Sequence, residues 1–186
     1  MDKREKFFIQ RVTKDCEAKP FQCGNGSIEN RIKGMYYASI LREGAGYEII
    51  SNRDGIKTTI GYYLIRIQLL DNPDSEQAED FHSEAYNQGT RFHYGAVEIS
   101  FLAIQKNRQG EGIGTTVLAS IIKGIMQQSD LPIRFILIEA LKEKLDWYVQ
   151  NGFMPIESEK NGRPTIRMYM DCIEDGILEQ YIEGVI

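Results

Sequence analysis

A mixed α/β fold on one central sheet is predicted by three features of the sequence. Hairpin signals crowd the first half, strands alternate with helices in the second, and the chain of 186 residues is one domain's worth. The whole of 1–186 is therefore read as a single domain, with about six to seven strands flanked by helices. Hydrophobic residues make up 42% and charged residues 26%, which excludes disordered and fibrous classes.

The elements follow in order. Phe7 to Val12 is a short strand that ends before Pro20. From Ser27 to Leu41, the residues Ile28, Ile32, Met35, Tyr36, Ser39 and Ile40 recur at three and four, giving one or two helices broken at Gly34. Tyr47 to Ile50 and Lys57 to Leu70 form a hairpin about Asn52-Arg53-Asp54-Gly55, because Asp-Gly supplies the positive φ of a tight turn. Residues 71 to 90 hold six acidic residues and no basic one, with Pro, Ser, Asn and Gly between them. They read as a long loop, either functional or a solvated insertion.

Tyr94 to Ile104 is a strand rich in Val, Ile, Phe and Tyr. The helix after it carries one apolar stripe, Ile113, Val117, Leu118, Ile121, Ile122, Ile125 and Met126. Arg134 to Glu139 is a buried-type strand, and a short helix around Lys142 to Gln150 stops at Asn151-Gly152. Phe153 to Ile156 and Thr165 to Met170 complete the sheet.

Composition also bounds the partners. The net charge is −5, which lacks the broad basic footprint of non-specific nucleic-acid binding. No apolar run approaches the ~18–20 residues of a membrane span, so no membrane role is expected. The charged start, Met1 to Lys6, leads into only Phe7, Phe8 and Ile9, and the expectation is a cytoplasmic protein. Cys16, Cys23 and Cys172 are too few and too scattered for a disulfide framework. Two histidines without CxxC or HExxH make no metal site.

The chemistry concentrates at Gln109-Gly110-Glu111-Gly112-Ile113-Gly114, between a strand and a helix. Backbone N–H groups of a helix's first turn have no partner within the helix, and glycines let an anion reach them. The dinucleotide pattern fails because its third glycine falls on Thr115, and the Walker pattern fails because no lysine follows Gly114.

Gln109-x-x-Gly112-x-Gly114 resembles the acetyl-CoA signature of the GNAT superfamily of N-acetyltransferases. Some 35 residues on, Trp147-Tyr148-Val149-Gln150-Asn151-Gly152-Phe153 resembles that superfamily's second hallmark, an aromatic-Tyr pair followed by Gly-Phe. The resemblance spans Tyr94 to about Cys172 closely and the first half more loosely. It implies a GNAT-like mixed sheet splayed around a coenzyme A groove, with acetyl-CoA as the cofactor. The pantetheine would pair with Leu102, Ala103 and Ile104. The pyrophosphate would rest on amides from Gln109 through Gly110, Glu111, Gly112, Ile113 and Gly114 to Thr115, with Asn151 also in contact. Tyr148 matches the family's general acid, and a phenol with a pKa of about 10 suits protonation of a departing thiolate. Its plain counterpart is a packed tyrosine. Glu98, eleven residues before Gln109, shares a strand face with Ser100 and Leu102 and resembles the glutamate base of the histone-acetylating branch. Lys144 departs from the small residue the family often places three before the aromatic.

The acceptor is written in the first half. Phe21-Gln22-Cys23-Gly24-Asn25 and Gly61-Tyr62-Tyr63 resemble the GNAT toxins that acetylate aminoacyl-tRNA, with Arg31, Lys33, Arg42 and Arg91 as an RNA-facing patch. The same Phe-x-Cys-Gly-Asn also reads as a turn and helix entry. The acidic balance opposes a polyanion and favours a cationic amine. In the tail, Ile173, Ile177, Leu178, Tyr181 and Ile182 recur at helical spacing, for a dimer helix or one covering the core. The sequence thus predicts acetyl transfer from acetyl-CoA to a primary amine of a small molecule or peptide. The alternatives are a toxin acting on aminoacyl-tRNA and a non-catalytic acyl-CoA-binding module.

Overall fold

A computed structural model describes residues 5–17, 19–71, 93–128, 130–156 and 164–173. Its strands are β1 (Lys6–Arg11), β2 (Ala45–Arg53), β3 (Ile56–Asp71), β4 (His93–Ile104), β5 (Phe135–Leu141), β6 (Met154–Pro155) and β7 (Thr165–Asp171). Its helices are α1 (Gly26–Lys33), α2 (Met35–Ile40), α3 (Ile113–Met126) and α4 (Leu145–Gln150). One seven-stranded mixed sheet runs in the order β1-β2-β3-β4-β5-β7-β6, with helices flanking it. The predicted fold class is the one observed. The 71–90 loop, beyond Asp71, and the tail helix lie outside the described residues.

The chain divides into two compact units, Met1–Arg66 with Glu98–Lys123 and Ile67–Val97 with Gly124–Ile186. In the first, Asp54 and Gly55 both take positive φ, 56° and 85°, which matches the right-handed twist of the β2–β3 hairpin. Register shifts between Ile49 and Ile50, so that Ile60 is left over as a bulge. Gly61 next to it is obligatory, because a Cβ there would sit 2.6 Å from the Ala103 carbonyl oxygen and 2.8 Å from Ile49 Cδ1. Val12, Cys16, Ile32, Met35, Tyr62, Leu64, Phe101 and Ala103 close this unit's core. The α3 stripe is buried at Ile113, Val117, Leu118, Ile121 and Ile125. Met126, expected on the stripe, is 48% exposed because it is the residue on which the helix ends.

Glu48 on β2 is only 1% exposed, and it accepts from Gln10 Nε2 at 3.1 Å, from Lys19 Nζ at 2.5 Å and from Thr59 Oγ1. Burial alone would push its carboxyl up, but the bonds from Lys19, Thr59 and Gln10 together hold it below its ordinary value of 4.5. A carboxylate that releases its proton more readily folded than unfolded stabilises the fold above the ordinary value and loses that contribution as pH falls through the lowered one. Glu48→Gln is therefore expected to cost about 1–3 kcal/mol near neutrality. The difference from the native chain should shrink on acidification, as read by urea titrations across that range.

In the second unit β5 pairs antiparallel with β7, and β6 with β7. Phe135 packs edge-on against Tyr94 and Tyr169, at 5.4 and 5.9 Å between centroids. Arg134 lies 5.0 Å over both the Tyr94 and Phe135 rings and pairs with Asp171 at 3.1 Å.

Candidate functional site

The glycine loop belongs to the first unit, and main-chain and side-chain bonds hold it from three directions. Gln105 N donates to Ile60 O at 2.8 Å, and Lys106 N to Gln22 O at 2.7 Å. Gln109 Nε2 donates to both Cys23 O at 2.8 Å and Ile104 O at 2.9 Å. The signature glutamine thus fastens the loop to the end of β4 and to the Phe-x-Cys-Gly-Asn segment. Arg108 Nη2 donates to Glu5 Oε2 at 2.9 Å, and its Nε to Glu111 Oε2 at 2.9 Å. Ser51 and Arg108 hold the Glu5 carboxyl below its usual range. Arg108 also draws the Glu111 carboxylate to itself, which reduces the repulsion a carboxylate between Gly110 and Gly112 would offer an incoming diphosphate. Neither Glu5 nor Arg108 was among the expected site residues. The Arg108-x-x-Glu111 spacing was a readable signal, whereas Glu5 lies 103 residues from its partner.

Gly110 and Gly112 take φ of 83° and 77°, and a Cβ on either would meet nothing within 4 Å. The loop backbone faces open space at both positions. Immediately beyond, α3 begins at Ile113, with Gly114 and Thr115 in its first turn and no acidic residue there. Open main chain at the positive end of a fourteen-residue helix fits an anionic diphosphate. In the strand ahead of the loop, Leu102 is half-buried, while Ala103 and Ile104 are buried. Glu98 is half-buried and accepts from Ser100 Oγ at 2.7 Å.

Phe-x-Cys-Gly-Asn is a helix entry. Asn25 Oδ1 accepts from Ser27 N at 3.1 Å and Ile28 N at 3.2 Å, capping α1. Glu29 Oε1 reaches back to Cys23 N and Gly24 N, at 2.9 and 3.0 Å. Phe21 packs edge-on to Tyr62, with centroids 5.0 Å apart. A depression of about 230 Å³ opens beside this segment, lined by Cys16, Glu17, Lys19, Glu29 and Lys33 among others. A second, of about 220 Å³, is lined by Arg31, Tyr37, Leu41 and Arg66 among others. Arg31, Lys33 and Arg42 are exposed, and Arg91 lies outside the described residues.

The aromatic motif belongs to the second unit. Tyr148 on α4 is 8% exposed, with its ring edge-on to Trp147 at 4.7 Å and to Phe153 at 5.7 Å. Burial pushes its phenol well above the ordinary value, so it keeps its proton throughout the neutral range. Asn151 Nδ2 donates to Trp147 O at 2.7 Å, closing the helix end, and Gly152 follows at φ 88°. Lys144 lies exposed, just before α4.

The charge is not spread evenly. The first unit carries fifteen Lys and Arg against ten Asp and Glu, net +5. The second carries seven against seventeen, net −10.

No family model matches the chain, and no curated protein matches its sequence. Solved structures share its fold. A tyrosine-to-phenylalanine mutant of KacT superposes with a TM-score of 0.70 at 19% identity, over 97% of this chain and 99% of that one. AtaTR bound with acetyl-CoA gives 0.70 at 18% identity, over 96% and 97%. AtaT complexed with acetyl-methionyl-tRNAfMet gives 0.67 at 19%, over 97% and 99%. The GNAT-like architecture expected from the two motifs is therefore one this chain shares with the AtaT and KacT structures.

Proposed function

We propose that this chain is an acetyl-CoA-dependent N-acetyltransferase of the toxin type, with the amino group of an aminoacyl-tRNA as its acceptor. The acetyl group and its energy come from acetyl-CoA, which supplies a thioester. Main-chain N–H groups from Gln109 to Thr115 would hold the diphosphate, and the backbone of Leu102, Ala103 and Ile104 would take the pantetheine amides. Asn151, whose amide nitrogen is spent on Trp147 O, is assigned to the cofactor only by the aromatic motif it belongs to. Glu98 accepts the ammonium proton through ordered water, and the freed nitrogen forms the new bond to the acetyl carbon. Tyr148, assigned by its match to the aromatic-Tyr motif, would be the acid that protonates the departing thiolate, and the proton the acylated nitrogen still has to lose would return to its phenolate through water.

The observation that carries the tRNA reading is the division of charge. Overall acidity argued for a cationic amine, but it lies in the second unit. The unit that bears the glycine loop and the Phe-x-Cys-Gly-Asn segment is net +5, the sign a polyanion requires. AtaT, with acetyl-methionyl-tRNAfMet in its structure, supports the same choice.

Thiol release from acetyl-CoA, followed with aminoacyl-tRNAs beside polyamines, aminoglycosides and lysine peptides, tests this. Transfer to aminoacyl-tRNA is expected, falling steeply with added salt. Glu98→Gln should slow it most at lower pH, where more of the amine carries a proton. Turnover confined to a small amine would replace the acceptor. Silence throughout, with a thermal shift on coenzyme A, would leave a binding module.

A further inference from the structure

We propose that Glu5, Arg108 and Glu111 form a linked ion pair that tunes how tightly the glycine loop holds coenzyme A, with Arg108 as its positioning residue. This rests on the reading of that loop as the site of the coenzyme's diphosphate. All three residues belong to the first unit, and the guanidinium is shared between the two carboxylates. Arg108 Nη2 stands 2.9 Å from Glu5 Oε2 and 2.9 Å from Glu111 Oε2, while its Nε donates to both Glu111 oxygens, at 2.9 and 3.1 Å. The buried Ser51 hydroxyl donates to Glu5 and fixes the far end. Glu5 immediately precedes β1, and Ser51 is on β2. The cation beside the loop is therefore tethered to the sheet as well as to its own neighbour in sequence.

The charges decide the sign of the effect. Two carboxylates against one guanidinium leave a net charge of −1 beside a loop that is to take an anion. Glu111 stands between Gly110 and Gly112, the two positions where the backbone faces open space, and the first turn of α3 adds no further carboxylate. Charges closer than the Debye length, about 8 Å at physiological salt, act on one another without full screening. Alone, a pair three residues apart and as exposed as Glu111 would hold only weakly. The bond to Glu5 orders the guanidinium, so the Glu111 carboxylate is neutralised in a fixed place rather than free to repel the diphosphate. The residual negative charge still holds affinity below what the loop's amides alone would give. Coenzyme A has to leave after each transfer, and that setting favours its release.

Calorimetric titration of the full chain with coenzyme A, at low and at high salt, tests this, with circular dichroism to monitor folding. Arg108→Gln should lower the affinity about tenfold and Glu111→Gln should raise it about threefold, both differences shrinking as salt is added. Glu5→Gln, on the far side of the guanidinium, should raise it by less. The double variant Arg108→Gln/Glu111→Gln should return to within about twofold of the native chain, a recovery that an arginine serving only to shape the loop would not give. Glu111→Gln alters a half-exposed side chain and keeps the test decisive even where Arg108→Gln fails to fold. A native chain that does not bind coenzyme A removes the anion site, and the linked pair with it. Native binding that is matched by Arg108→Gln, not recovered in the double variant, or weakened by Glu111→Gln or Glu5→Gln overturns the linked pair and leaves the anion site standing.

Discussion

Gly112→Val is expected to lose acetyl-CoA binding by far more than it loses stability. The residue sits at φ 77°, a region that costs a side-chain-bearing residue about 1–2 kcal/mol and a β-branched one more. No atom lies within 4 Å of the new Cβ, so no clash is added to that strain. In a chain of this size the melting temperature should fall by roughly 3–8 °C. On the proposed function, the space the valine fills is the space the diphosphate would enter. The affinity for coenzyme A should therefore drop at least ~10-fold, about 1.4 kcal/mol, as read by calorimetry. Gly124→Ala is the control. It lies on the exposed side of α3, also with open space at its Cβ, and should raise helix stability by up to ~1 kcal/mol with coenzyme affinity unchanged. If Gly112→Val binds like the native chain, the glycine loop is not the anion site.

Tyr148→Phe is expected to lower kcat about 10²–10⁴-fold and leave coenzyme affinity nearly unchanged. The ring's edge-on contacts with Trp147 and Phe153 need only carbon atoms, so the fold around α4 is retained. Because burial raises the phenol's pKa, the native chain's proposed activity should show no alkaline fall in rate through the ordinary tyrosine range. The phenol's proton is held beyond that range. Turnover equal to the native chain's would exclude the hydroxyl as the acid. A parallel loss of coenzyme affinity would mark it as a packing residue.

What was legible in the sequence is what is local. The Asp54-Gly55 turn, the break at Gly34 and the α3 stripe, save Met126 at its end, each follow from neighbours within a few residues, and each stands where the local sequence placed it. The helix entry at Asn25 was also readable, whereas the return bonds of Glu29 to Cys23 and Gly24 emerged only in the structure. Contacts that join distant segments were not. Nothing near Glu5 foretells Arg108, and nothing near Gln10 foretells a buried Glu48 shared with Lys19. The electrostatic argument was incomplete for the same reason. Net charge sums over the chain, whereas the basic unit is assembled from 1–66 and 98–123, with an acidic stretch threaded between them. Only topology reveals that partition.

The bidentate amide of Gln109 has a mechanical corollary. By gripping Cys23 O and Ile104 O together, it makes a single rivet of three chain segments, two of them 86 positions apart. A residue inserted between Phe21 and Asn25 would therefore be felt as weakened nucleotide affinity. Amide protons on both sides of the rivet should likewise open to solvent in one concerted event.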